Sequence, residues 1–189
     1  NVLVKPFCEG IEETVHLNVY TTPHGRNRII DIIGDLGGFA FEDYDSECEN
    51  SFANENGDRY ITCLNADLTL SDPEYIVATP RGNWTGKTKG GLILSKDCGS
   101  TWERLPMPRG LSEFIDQKLD NIEKPNVDSG WTAISADGKR IMWAVAGGRG
   151  FSNKAVCYTD DEGKTWQKSI FTDSSGNLAD EHNVKIFSD

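Results

Sequence analysis

One eight-residue pattern occurs twice in this chain and restricts its fold more than any other feature. Ser95-Lys96-Asp97-Cys98-Gly99-Ser100-Thr101-Trp102 and Thr159-Asp160-Asp161-Glu162-Gly163-Lys164-Thr165-Trp166 both read Ser/Thr-x-Asp-x-Gly-x-Thr-Trp. Each copy follows a short apolar run, 92–94 or 155–158. Each run is preceded by another, 75–78 or 141–145, with one more before that. The repeating unit is therefore about four strands, with the pattern between the third and the fourth. Its aspartate can accept hydrogen bonds from its own turn. Its glycine permits a left-handed backbone. Its tryptophan, at the start of the outgoing strand, can pack beneath the turn. Asp97, Gly99, Trp102, Asp161, Gly163 and Trp166 thus read as structural residues, a staple at each turn.

Repeats of this kind predict an all-β chain of β-propeller blades, each a four-stranded antiparallel sheet. The length holds a partial propeller of about three to four blades: 1–60, 61–105, 129–170 and the start of a further blade at 171–189. An insertion at 106–128 accounts for a spacing wider than the roughly 40–50 residues of a usual blade. Within it, residues 111–121 carry the best helical periodicity, with Leu111, Phe114, Ile115 and Leu119 on one face. Asp137-Gly138 marks a hairpin turn.

Composition narrows the function classes. The chain carries 19 basic and 30 acidic residues, a net charge of −11, which argues against a general nucleic-acid binder. No apolar run approaches the roughly 20 residues of a membrane-spanning helix. His16, His24 and His182 lie in separate segments, and no Cys/His spacing suits zinc. No metal and no cofactor is expected, and Gly147-Gly148-Arg149-Gly150 lacks the Lys-Ser/Thr of a phosphate loop. The five cysteines, at 8, 48, 63, 98 and 157, read as small buried hydrophobes rather than a disulfide framework. Asn83-Trp84-Thr85 is a glycosylation sequon and predicts a loop.

The repeated turns resemble the Asp-boxes of sialidase-like propellers. Two further motifs narrow the resemblance. Residues 10–14, GIEET, are followed by Gly34-Asp35-Leu36-Gly37-Gly38-Phe39. This pair, and the order of strand pairs after it, resembles the family-74 glycoside hydrolases, the xyloglucanases and related endo-β-glucanases, over nearly the whole chain. One departure is the continuation Ala40-Phe41-Glu42-Asp43, where the family has a basic residue, a histidine and two acids. Family members are several-fold longer and set two propellers face to face across a cleft. The resemblance implies a secreted enzyme acting on a polysaccharide. Asp35 would be the general acid of an inverting mechanism, and the base would lie outside this chain. The partners implied are the polysaccharide and the remaining blades or a second propeller of the same protein.

The residues around Asp35 suit that role. A general acid must keep its proton near working pH, and an apolar surround favours that. Ile32, Ile33, Leu36 and Phe39 offer one in sequence, and Gly37 and Gly38 would let a sugar ring approach the backbone. A strand-end aspartate capping a Gly-Gly turn is the competing reading. Glu12, Glu13, Asp43 and Asp45 are nearby carboxylates, and nothing selects one as a base. Trp84, in a polar Gly-rich loop, reads as a sugar platform or as a loop anchor. Trp143 is a second substrate-binding candidate, although its place inside a strand suits a core residue. Trp131 opens a strand and is undecided. Phe39 and Tyr44 flank the acid and could line a subsite, and Arg81 and Arg149 could hydrogen-bond hydroxyls.

Two rivals remain. A sialidase needs several arginines gripping a carboxylate and a Tyr–Glu nucleophile pair. The eight arginines here stand in no such pattern. A non-catalytic propeller, binding carbohydrate or protein through its loops, or an inactive fragment of a larger enzyme, is the other.

Overall fold

The computed structural model describes residues 14–22, 24–48, 50–108, 130–146 and 153–179. The helix expected at 111–121, the GIEET segment up to residue 13, and the first strand expected of the further blade, 183–187, lie outside the described residues.

Among the described residues, twelve strands form three four-stranded antiparallel sheets, a partial all-β propeller. The first sheet holds β1 (His16–Thr21), β2 (Ile29–Ile33), β3 (Gly37–Phe41) and β4 (Asn50–Ser51). The second holds β5 (Ile61–Leu68), β6 (Ile76–Arg81), β7 (Ile93–Ser95) and β8 (Glu103–Arg104). The third holds β9 (Trp131–Ile134), β10 (Ile141–Ala146), β11 (Asn153–Thr159) and β12 (Gln167–Lys168). In each sheet, strands adjacent in the chain are adjacent in space. Each sheet is therefore a meander, closed by short turns such as the one at Gly138, whose φ is 73°.

The middle sheet explains the packing. Successive side chains of a strand point to opposite faces. On β6 and β7, Ile76, Ala78 and Ile93 join Ile30, Ile32, Ala40 and Phe52 of the first sheet and its following loop in one core. Val77, Leu92 and Leu94 face the other way and join Ile134, Ile141, Trp143 and Val145 of the third sheet in a second core. The first five residues of β6 are accordingly all buried. Each buried aliphatic side chain contributes about 1.5–3 kcal/mol relative to exposure, so the two inter-sheet cores dominate the stability. The outer sheets differ. On β1, Val15 just ahead of it, Leu17 and Val19 stand 61%, 43% and 52% exposed.

Trp143 corrects an expectation. It is fully buried in the second core, with its ring centroid 6.0 Å from that of Trp166. A side chain with no exposed surface cannot offer a face to a sugar, so Trp143 is a core residue.

Candidate functional site

Asp35 stands in the hairpin between β2 and β3. Gly34 N–H donates to Val15 O (2.8 Å), Leu36 N–H to Gly34 O (2.9 Å), and Gly38 N–H to Leu36 O (3.0 Å). These bonds fold the chain back within three residues. Such a reversal requires left-handed backbone, and both Asp35 (φ 63°) and Gly37 (φ 77°) adopt it. Aspartate is among the residues that tolerate this region. The Asp35 N–H donates to Thr62 Oγ1 of β5 at 3.0 Å, so the turn of the first sheet rests on the inner strand of the second.

The Asp35 side chain is exposed, and no described residue partners its carboxylate. The apolar surround expected from sequence does not form. Ile32 and Ile33 are buried within the fold, while Asp35 leaves on the turn toward solvent. The two glycines are also reassigned. A Cβ on Gly37 would come within 2.9 Å of Tyr60 O. One on Gly38 would come within 2.7 Å of Asp31 O and 2.9 Å of the Phe52 ring. Their smallness admits the protein's own Tyr60 and Phe52, and the space is not open to a sugar.

Around the turn, Phe39 is half-buried. Its ring centroid lies 6.3 Å from that of Phe41, and the Arg59 guanidinium sits 5.9 Å from the ring. Tyr44 is 82% exposed on the loop after β3. His16 Nδ1 lies 2.8 Å from Asp31 Oδ2, pairing an exposed imidazole with a deeply buried carboxylate. Asp43 and Asp45 hydrogen-bond within their own loop, Asp45 N–H donating to Asp43 Oδ1 at 2.8 Å. Glu12, Glu13, Arg149 and His182 lie outside the described residues. Among the described residues, no cluster of three or more His, Cys, Asp or Glu side chains could hold a metal.

Trp84 stands 67% exposed, and the reason is local. Asn83 Oδ1 accepts from Thr85 Oγ1 (2.8 Å), Lys87 N–H (3.0 Å) and Thr88 N–H (3.3 Å). Asn83 Nδ2 donates to Arg59 O at 3.1 Å. Asn83 and the buried Thr88 therefore anchor the loop, and Trp84 is thrust outward from it. The amide nitrogen a glycan would need is already engaged. Trp131 is half-buried at the margin of the small outer core of the third sheet, beside Ala133, Ala144 and Val156. Arg81 is half-buried at the end of β6.

The repeated turns carry one hydrogen-bond set twice. Ser95 and Thr159 hydroxyls donate to Asp97 and Asp161 Oδ1, each at 2.8 Å. Thr101 and Thr165 N–H donate to the same oxygens, again at 2.8 Å. The Thr101 and Thr165 hydroxyls reach Oδ2 at 2.6 and 2.7 Å. Burial raises the Asp97 pKa, but the Thr101 and Ser95 donors outweigh it and hold the carboxyl below its usual range. The Thr165 N–H and hydroxyl do the same for Asp161. Lys96 and Glu162 then join the two turns by an ion pair of 2.6 Å. All six residues expected to be structural lie in these turns, and Gly99 and Trp102 pack against the first sheet and its following loop.

The four described cysteines are free. Cys63, Cys98 and Cys157 are buried, and burial pushes Cys63 and Cys157 up to about 12. Cys48 is exposed, so it departs from the expected buried role.

Sequence reasoning missed two features. One is Thr62, whose contact with Asp35 depends on a strand irregularity that has no sequence signature. The other is a second recurrent turn, Asn/Asp-x-x-Gly, at Asn54, Asn83 and Asp173. In each, the glycine N–H donates to the carbonyl of the first residue (2.9, 3.1 and 3.0 Å). Its signal was present in the spacing of Asn54 and Gly57, Asn83 and Gly86, and Asp173 and Gly176. Two surface hollows are lined without Asp35. One is beside Tyr75, Asp137 and Glu162, the other beside Asn54, Trp102 and Glu103.

No protein-family model matches the chain. A xyloglucanase of Hypocrea jecorina (strain QM6a) is 26% identical over 149 residues, which cover 77% of this chain and 15% of that enzyme. The crystal structure of the GH74 xyloglucanase from Xanthomonas campestris superposes with a TM-score of 0.59 at 22% identity, over 87% of this chain and 20% of that one. A GH74 enzyme from Niastella koreensis gives 0.56 at 20% identity, over 85% and 18%. An ancestral GH74 enzyme gives 0.55 at 13% identity, over 86% and 26%. The chain thus spans a small part of the length of each relative. Over most of its own length it is a partial match to the family-74 glycoside hydrolases, in sequence to one xyloglucanase and in fold to several GH74 propellers.

Proposed function

We propose that these residues form the acid-bearing part of a secreted glycoside hydrolase that cleaves β-1,4-glucan backbones such as xyloglucan with inversion. Asp35 is its general acid. The observation that carries this reading is the left-handed turn that holds Asp35 at the surface, its carboxylate engaged by no described residue, in a chain similar to a xyloglucanase. An inverting enzyme needs a second carboxyl group about 6.5–9.5 Å away, on the far side of the scissile bond. The family resemblance puts that base outside this chain. The same outside surface supplies the desolvation that an exposed carboxyl lacks and that a general acid needs. Trp84 is the platform on which a sugar ring stacks, and Phe39 and Tyr44 line the approach to the acid. The repeated turns are Asp-boxes, with no part in the chemistry.

The test is hydrolysis of xyloglucan by the full protein and by its Asp35→Asn variant. General acid catalysis typically contributes about 10²–10⁴-fold, and a loss of that size with the fold retained is the expected result. Unchanged turnover in the variant would overturn the assignment. The exposed Trp84 favours one second reading, a carbohydrate-binding propeller. Retention on xyloglucan through Trp84 with no sugar release would establish it.

A further inference from the structure

Four described residues other than glycine have positive φ. Cys98 (56°) and Glu162 (58°) occupy the same place in the two repeated turns, which accounts for them. Asp35 (63°) and Thr62 (31°) belong to no repeat, and they are hydrogen-bonded to each other. Positive φ in a β-branched residue is an outlier. Backbone strain of this kind persists only where the surroundings enforce it, and it clusters at functional sites.

The surroundings here are a bulge. Ile61 pairs with Arg81 and Cys63 pairs with Pro80, leaving Thr62 as the extra residue of β5. Bulges re-aim a side chain and are common beside active sites. This one turns the Thr62 hydroxyl onto the Asp35 N–H. The β2–β3 hairpin closes without it, through the bonds of Leu36 and Gly38 and the β2–β3 ladder. The Thr62 bond is thus superfluous to the hairpin and acts on the one backbone group at the acid's own Cα.

We infer that Thr62 is a positioning residue: the β5 bulge holds its hydroxyl against the Asp35 amide and so fixes where the Asp35 carboxylate is presented to the glycosidic oxygen. The inference rests on the reading of Asp35 as general acid. Small displacements of a catalytic group cost rate out of proportion to their effect on fold. The loss therefore falls on kcat rather than on substrate affinity.

The test compares Thr62→Val, which keeps the shape and removes the acceptor, with Thr62→Ser, which keeps the hydroxyl. Both are made in the full protein beside Asp35→Asn, with kcat and KM measured on xyloglucan. Exchange of the Asp35 amide is followed by NMR. Thr62→Val is expected to lower kcat by about tenfold with KM changed by less than about twofold. The Asp35 amide should exchange faster in that variant, and Thr62→Ser should restore both. If Thr62→Val does not fold, Thr62→Gly removes the hydroxyl while accepting the backbone angle freely. Full kcat in the hydroxyl-less variant, with Asp35→Asn inactive, overturns the inference about Thr62 alone. Full turnover in Asp35→Asn removes the acid assignment, and the inference falls with it.

Discussion

The two repeated turns share a hydrogen-bond set to within 0.1 Å, yet they use their tryptophans differently. Trp102 is 5% exposed. Its ring lies tilted 4.3 Å from that of Phe52, which follows the first sheet, and its indole N–H donates to its own Gly99 O at 3.1 Å. Trp166 is half-buried and lies over Trp143. Its N–H leaves the turn and donates at 2.9 Å to Pro106 O, which follows the second sheet. The glycines tell the same story. A Cβ on Gly99 would press on Ile30 and Ala40 of the first sheet, and one on Gly163 on Pro106 after the second. The aspartate network builds the turn, while the tryptophan and glycine seat it on the preceding sheet. The motif is therefore a joint between sheets as well as a local staple.

The largest expected difference lies in the indoles. Trp102→Ala should cost about 3–5 kcal/mol in urea denaturation, the range for a buried large aromatic. Trp166→Ala should cost less, because part of its surface is already wet and Trp143 remains to cover the core. Equal losses would break the contrast. The glycines come next. Gly99→Ala and Gly163→Ala must hold alanine in the left-handed region, at roughly 1–2 kcal/mol, and also crowd the neighbouring sheet. Gly57→Ala and Gly176→Ala carry the first term alone, since nothing lies within 4 Å of the added Cβ. Thermal shifts of the same size at all four would remove the joint from the account. The smallest effect concerns pH. Asp97 and Asp161 have pKa values lowered by folding, so their contribution is complete above the unfolded carboxylate value near ~4 and is lost as pH falls through the folded values. Asp137, held near about 2 by the Ser135 hydroxyl and Lys139, acts in the same direction. Melting temperature should therefore fall on acidification below about pH 4. In Asp97→Asn, and separately in Asp161→Asn, the fall should be shallower. An identical acid limb in either variant would refute the linkage there.

These particulars decide what was legible in the sequence. The turns and the meander order could be read because the motif's chemistry is local: a hydroxyl, a carboxylate, a glycine and a threonine within eight residues. Trp143 was ambiguous because burial on both faces of a sheet depends on a neighbouring sheet that no strand reports on its own. Gly37 and Gly38 suggested room for a ligand, but the occupant is set by Tyr60 and Phe52, more than ten residues away in the chain. Asp35 could be found by motif. Its exposure could not, because apolar residues flanking a turn in sequence point into the sheet when the turn points out. Thr62 was invisible, since a bulge is a mismatch of two strands and is written in neither.

The middle sheet, buried on both sides, has a consequence for how such chains can be cut and rejoined. Phe52 and Pro106 each follow one sheet yet anchor the turn of the next. The exchangeable module is therefore offset from the visible sheet by half a connection. A graft made at the sheet boundary would separate each indole from its socket. One that carries the preceding linker along would move lock and key together.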